Sequence, residues 1–432
     1  MTNTVAAFEA IVTSFSPVFT APSARSFITL VAAWVQCLGR PTIRRLRSVV
    51  DGATKSSSSY SRFFRCGRWS FDEVWKWLLT GLLVPRLASA GRLILACDDT
   101  TCDKFGRYVA FAALFRDAVR STKANAVLHR AHCWVVMTMQ IRLPRWKRVI
   151  TFPVMARLYR KEADADAKHP FRTRQQLALD MLQLLATWLP DREIELVADG
   201  AYPCEELVKA LPPTVTFTSR MRSDAALYDL PKPPKKGKRG APRKKGNRLP
   251  APVELARTAR SWKRVKVVQY GKERERLVWT RVVLWWHVAR SRPVLLVIVR
   301  DPNGKEEDDF FFTTEVESSG AHVAEVFASR WGIEEVFREG KQLVGFNRVQ
   351  GWRPASVERQ APFALLVLSL VKLWYVHHVA LRTPPDELPP TSRMLTALRL
   401  AYWQRRINRW SLRRAEKREI IAALRNALAA AA

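Results

Sequence analysis

The stretch Leu93-Ile94-Leu95-Ala96-Cys97-Asp98-Asp99-Thr100-Thr101 decides how this chain is read. Its short continuous apolar run has the form of a central strand, buried on both faces, that delivers carboxylates at its C-terminal end. A second run, Glu193-Ile194-Glu195-Leu196-Val197-Ala198-Asp199-Gly200, has the same form and also ends in an acid. Between them lie two strand-like segments, residues 132–141 and 149–158, joined by a short turn containing Pro144. An amphipathic helix follows over 171–189, marked by Leu177, Met181, Leu184, Leu185 and Trp188. Three strands, a helix and a fourth strand predict a mixed α/β sheet. Carboxylates at adjacent strand ends repel unless a cation or proton lies between them, and their simplest use is to bind a hard metal through oxygen. Either acid alone could merely cap a turn.

Composition points the same way. The 432 residues carry 72 Lys plus Arg against 39 Asp plus Glu, a formal surplus of +33. With 48% apolar and 26% charged residues the chain can bury a real core, so it is not a disordered polycation. Its length suggests two or three structural units. A cationic surplus of this size points to nucleic acid, whose phosphates release counterions for each Lys or Arg that contacts them. The six cysteines (Cys37, Cys66, Cys97, Cys102, Cys133, Cys204) form no CxxC pair and no regular spacing, which fits a reducing cytoplasm rather than a zinc knuckle or a disulfide framework. No Lys or Arg precedes Arg25, and Glu9 interrupts the first apolar residues, unlike a signal peptide. The most apolar stretch, 361–371, is about half the length needed to cross a bilayer and is expected to be a buried helix.

Outward from the two strands, residues 27–82 read as helical, with Phe27, Leu30, Val31, Trp34, Val35 and Leu38 at mixed three and four spacings. A basic turn at Arg44, Arg45 and Arg47 and a serine-rich loop at 56–61 follow. This predicts a helical N-terminal domain over 1–90, either an ordinary bundle or a DNA-binding unit. The first part of the core is expected over 91–219 and a basic β-rich insertion over 220–314. The core should be completed over 315–380, and a basic helical C-terminus should occupy 381–432. Residues 232–248 carry nine Lys or Arg and no acid, so Lys235, Lys236, Arg239, Arg243, Lys244 and Lys245 are candidate phosphate contacts on an exposed loop. A helix is predicted over 321–346.

On that helix Arg330, Glu334 and Lys341 fall at i, i+4 and i+11, so they share one face with Phe327 at its N-terminal edge. Alone, one carboxylate between two cations could be a solvated salt-bridge ladder. Glu335 and Glu339 are expected to face solvent. There is no P-loop, because neither Gly304-Lys305 nor Gly340-Lys341 is followed by Ser or Thr. His377-His378 reads as a helix-end feature.

The sequence resembles the DDE-type insertion-sequence transposases of bacteria, in the group with a β-rich insertion before the last acid and the signature Tyr-x2-Arg-x3-Glu-x6-Lys. Here the signature reads Phe327-x2-Arg330-x3-Glu334-x6-Lys341, with the ring kept and the hydroxyl lost at its first position. The likeness extends to Asp98-Asp99-Thr100, to Asp199-Gly200-Ala201-Tyr202 and to Gly345, over roughly residues 90–350. It implies an RNase H-like catalytic domain and an acid triad of Asp98 or Asp99, Asp199 and Glu334 holding two divalent ions, Mg²⁺ with Mn²⁺ as the substitute. It implies Arg330 and Lys341 as DNA backbone contacts. It also implies a homo-oligomer acting on paired element ends and joining their 3′-hydroxyls to target DNA. An insertion tryptophan, Trp279, Trp285 or Trp286, could stack on a flipped base or simply pack the insertion. Two other readings remain open at this point: a catalytically silent DNA-binding descendant, and a metal-dependent nuclease that cuts without joining.

Overall fold

The run from Leu93 is the centre of a large sheet in the computed structural model, which describes residues 2–50, 55–117, 120–122, 124–143, 146, 148–167, 169–232, 243–380 and 387–430. The strands of the core are β1 (Leu93–Asp103), β2 (Ala113–Arg116), β3 (Leu128–Arg142), β4 (Val149–Tyr159), β5 (Ile194–Ala198) and β6 (Val215–Arg220). β1 lies antiparallel to β3 on one side and parallel to β5 on the other, and β5 is parallel to β6. β3 carries β2 at one end of its outer edge and β4 along the rest. The order β4-β3-β1-β5-β6, antiparallel on one flank and parallel on the other, is the RNase H-like arrangement. β1 does not stop at the acids. It runs on to Asp103 because β3 accompanies it as far as the Asp103–Ala131 pair, so Asp98 and Asp99 sit within the strand.

The insertion supplies β7 (Leu227–Tyr228), β8 (Lys263–Gln269), β9 (Lys272–Trp285), β10 (Val294–Arg300) and β11 (Asp309–Thr313). β11 returns antiparallel to β6, which makes the insertion a continuation of the core sheet in the order β6-β11-β10-β9-β7. Residues 233–242, with Lys235, Lys236 and Arg239, and the expected turn at Pro144 lie outside the described residues.

Helices α1 (Thr2–Thr13), α2 (Ala21–Gln36), α3 (Ile43–Ser48), α4 (Ser57–Cys66), α5 (Phe71–Lys76) and α6 (Val84–Leu87) precede the sheet. The serine run is helical rather than a loop: the Ser56 hydroxyl accepts the Ser59 amide, and this cap lets the following serines form the first turn of α4. α7 (Arg174–Trp188) and α8 (Glu205–Lys209) flank β5. α9 (Pro252–Thr258) and α10 (Trp286–Ala289) belong to the insertion. α11 (Gly320–Ser329), α12 (Gly332–Leu343), α13 (Pro354–Trp374), α14 (Thr391–Ile407) and α15 (Arg414–Ala430) follow it.

α13 contains the apolar run 361–371 and packs between β4 and the N-terminal helices. Its Ser369 hydroxyl donates to Pro153 O of β4, and the Lys372 ammonium donates to Thr151 O. Its other side takes the N-terminal helices: Phe363 meets Trp34 at 5.1 Å and Phe27 at 5.7 Å between ring centroids, and the Trp374 indole donates to Thr4 O. Trp34 donates in turn to Val344 O at the end of α12. One continuous apolar core therefore joins Val5 in α1 to Tyr402 in α14 through the sheet. The helical stretch Pro354–Ala380 is long and apolar enough to cross a membrane, and most of it is buried inside this fold.

The helix expected over 321–346 is two helices. Between α11 and α12 the amides of Arg330, Trp331, Ile333 and Glu334 each bond three residues back rather than four. Gly332 marks the reason: a Cβ there would stand 2.0 Å from Thr151 Oγ1, so the chain bends where it is pressed against β4. Val336 and Phe337 are buried below, while Trp331 stays 47% exposed, edge-on to Tyr270 at 6.1 Å.

Candidate active site

Successive side chains of a strand point to opposite faces, so Asp98 and Asp99 are separated by the sheet itself. Asp99 is held by Arg174 of α7 (3.2 Å), by the Tyr202 hydroxyl (3.3 Å) and by the Cys133 thiol (3.5 Å). Asp98 accepts the Asp99 amide at 2.8 Å through one oxygen and Arg330 Nη1 at 3.0 Å through the other. Arg330 Nη2 then donates to Glu334 Oε1 at 3.1 Å, and Lys341 Nζ donates to Thr100 Oγ1 at 2.8 Å. Arg330, Glu334 and Lys341 thus converge on the face of β1 that carries Asp98 and Thr100.

Asp199 follows the last residue of β5. Because Cys97 pairs with Ala198 across the parallel strands, the next residue on each is an aspartate. The Asp199 carboxylate accepts the Gly200 amide at 2.5 Å, and its carbonyl accepts the Ser219 hydroxyl at 3.0 Å. Burial pushes the Asp98 carboxyl up to about 7; Arg330 and the Asp99 amide pull it down, while the charges of Asp99 and Asp199 push it further up. A carboxylate in that position is one a cation would stabilise.

The donor set is three carboxylates without thiolate or imidazole, which suits a hard divalent ion. In this structure the Arg330 guanidinium supplies the positive charge between Asp98 and Glu334. Among the described residues no group of three or more His, Cys, Asp or Glu side chains stands close enough to hold a metal ion.

A family model described as DDE superfamily endonuclease matches residues 14–285. The chain belongs to this family. The match takes in β1 with Asp98 and Asp99, and Asp199 after β5. It ends before Phe327, so the signature helix stands on its geometry. A comparison with curated proteins gives no match.

Other expected residues of this endonuclease are scattered. Phe327 is packed on Phe311 at 4.5 Å, with the Arg330 guanidinium 5.4 Å from its ring, so the ring helps to seat the arginine. Of the insertion tryptophans, Trp285 is buried edge-on against Phe312 (5.1 Å) and Trp279 packs against the same core, while Trp286 has the Lys245 ammonium 5.2 Å from its ring. Arg243 and Lys244 are exposed, and Lys245 lies over Tyr228 at 4.1 Å. Glu339 does not face solvent: it pairs with Lys372 at 2.7 Å, and only 12% of its side chain is exposed. The clamp on Asp99 by Arg174 and Cys133 left no signal in the sequence, because its partners are 75 and 34 residues away.

Proposed function

We propose that the protein is a DNA transposase. It cleaves the ends of a mobile element and joins the 3′-hydroxyls to target DNA, working as a homo-oligomer on paired terminal repeats in a bacterial cytoplasm, at the nucleoid. Asp98, Asp199 and Glu334 would hold the divalent ions, with Asp98 rather than Asp99 as the first acid. The observation that carries this reading is the convergence on one sheet face of Asp98, Arg330, Glu334 and Lys341, from segments more than 200 residues apart in sequence. Bound Mg²⁺, or Mn²⁺ in its place, would supply Lewis acidity toward the attacking and leaving oxygens.

The chain's own residues do the rest. Arg330 keeps the two carboxylates oriented and adds positive charge beside the strand being cut. Lys341, anchored on Thr100, lies where a backbone phosphate passes. Asp99 holds the strand in place from behind through Arg174. Arg243, Lys244 and Lys245, with Lys235, Lys236 and Arg239, contact phosphates without reading sequence.

A strand-transfer reaction on DNA carrying the gene's own flanking ends, with Mg²⁺, tests this. Joined products from the wild type and none from Glu334→Ala are expected. Cutting without joining would reduce the protein to a nuclease, and DNA binding without cutting in either protein would make it a silent descendant.

A further inference from the structure

Beyond the carboxylates, the edge of the fold is cationic and aromatic. β1 ends at Asp103, about 17 Å along the strand from Asp98, a span of about five nucleotides of a stacked strand. The chain then turns through Phe105-Gly106-Arg107-Tyr108. This turn is firmly docked. Lys104 Nζ donates to Asn347 O (2.8 Å) and the Ala110 amide to Gly351 O (3.1 Å), while Arg130 holds the turn from behind through Gly106 O and Arg107 O.

Three large rings nevertheless face water: Phe105 is 88%, Tyr108 63% and Trp352 70% exposed. Tyr108 and Trp352 meet edge to face at 5.6 Å, and the Arg107 guanidinium lies 5.6 Å from the Tyr108 ring. Exposed rings on a fixed turn and on the segment docked beside it mark a binding surface rather than scattered surface residues. The charge around them is mainly positive. Arg107, Arg348 and Arg353 are exposed. The nearby acid Asp103 is engaged by His129 Nδ1 at 2.6 Å. Burial lowers the Lys104 ammonium to about 8; Cys102 and Asp103 oppose that push, while the positive charges of Arg40 and Lys341 add to it.

We propose that this ledge binds unpaired nucleotides of the DNA strand that leaves the carboxylate site. Their bases stack on Tyr108, Trp352 and Phe105, and their phosphates lie against Arg107, Arg348 and Arg353. Stacking rings select unpaired strands because the faces of bases are hidden inside a duplex, which offers only phosphates and groove edges. The excess of arginine charge favours a polyanion over an apolar protein partner. The identity of the strand rests on the DNA-cutting reading; the binding surface does not.

The test is fluorescence anisotropy, with chelator present, using two labelled probes: a duplex with a short oligothymidylate tail and the same duplex fully paired. The wild type is expected to prefer the tailed probe. Tyr108→Ala combined with Trp352→Ala should weaken tailed binding about tenfold or more and leave paired binding within about twofold. Both rings are exposed, so an unchanged melting temperature verifies that the variant folds. No wild-type preference for the tail, or equal losses on both probes, overturns the ledge. Cutting is not part of the readout. Tail-selective binding by a protein that cuts nothing would leave the ledge standing and remove the transposase reading, and cutting without tail preference would do the reverse.

Discussion

Asp98 and Asp99 are neighbours in sequence with opposite surroundings, and that difference is the finest statement the structure makes. One accepts Arg330 on the face shared with Glu334, and the other is tied to Arg174, Tyr202 and Cys133 behind the sheet. The sequence left the choice open because two adjacent acids before threonines satisfy the same pattern. A second residue-scale consequence concerns Glu339 and Lys372. Burial pushes the Glu339 carboxyl up, but the Lys372 ammonium and the hydrogen bonds from Lys372 and Thr391 outweigh it and hold the carboxyl below its ordinary range. A depressed folded-state value means the pair's stabilisation is complete above the unfolded value of 4.5 and is lost as pH falls through the folded one. Lys372→Met should cost about 3–5 kcal/mol in urea unfolding at neutral pH, because it strands a buried carboxylate. A loss near zero would mean that the pair is not buried in solution.

At the scale of elements, the junction of α11 and α12 decides where Glu334 stands. Gly332→Ala would force a Cβ into Thr151, so a lower melting temperature and slower cleavage are expected. Adding Thr151→Ala should restore part of both losses, and strict additivity of the two changes would refute the contact. α11 makes a second connection at His322, whose Nε2 meets buried Glu195 at 2.7 Å. That hydrogen bond raises the His322 pKa. Burial and Arg92 oppose the rise, while the charges of Glu195 and Glu315 support it. The stabilisation is therefore full below the unfolded value of 6.5 and declines as pH rises through the folded value. His322→Gln should flatten stability against pH over that window, and an unchanged profile would place the titration elsewhere.

Much of this level was legible in the sequence. The continuous runs ending in Asp98 and Asp199 identified the two central strands, and the spacing of Arg330, Glu334 and Lys341 identified their common face. What periodicity could not show was the break at Gly332, which is caused by a residue of β4 far away in sequence. Nor could it show the joining of the insertion to the core through β6 and β11, because pairing partners leave no local pattern.

At the scale of the molecule, the N-terminal helices share one core with α13 and α14. A fragment of residues 91–432 should consequently fail to fold, with circular dichroism showing no cooperative melting; a stable, soluble fragment would make residues 1–90 an independent unit. The surplus of +33 charges should give DNA binding a steep salt dependence. Deleting residues 232–248 should flatten that slope, and an unchanged slope would remove this basic segment from the contact. In the proposed function, residues from three distant segments form one metal-dependent cutting site on one face of the sheet. Comparing Mg²⁺-dependent DNA cleavage by Asp98→Asn and Asp99→Asn separates the acid on that face from the acid behind it. Asp98→Asn should abolish cutting while binding DNA as the wild type does, and Asp99→Asn should still cut but melt at a lower temperature. Cutting by Asp98→Asn at the wild-type rate would contradict the account.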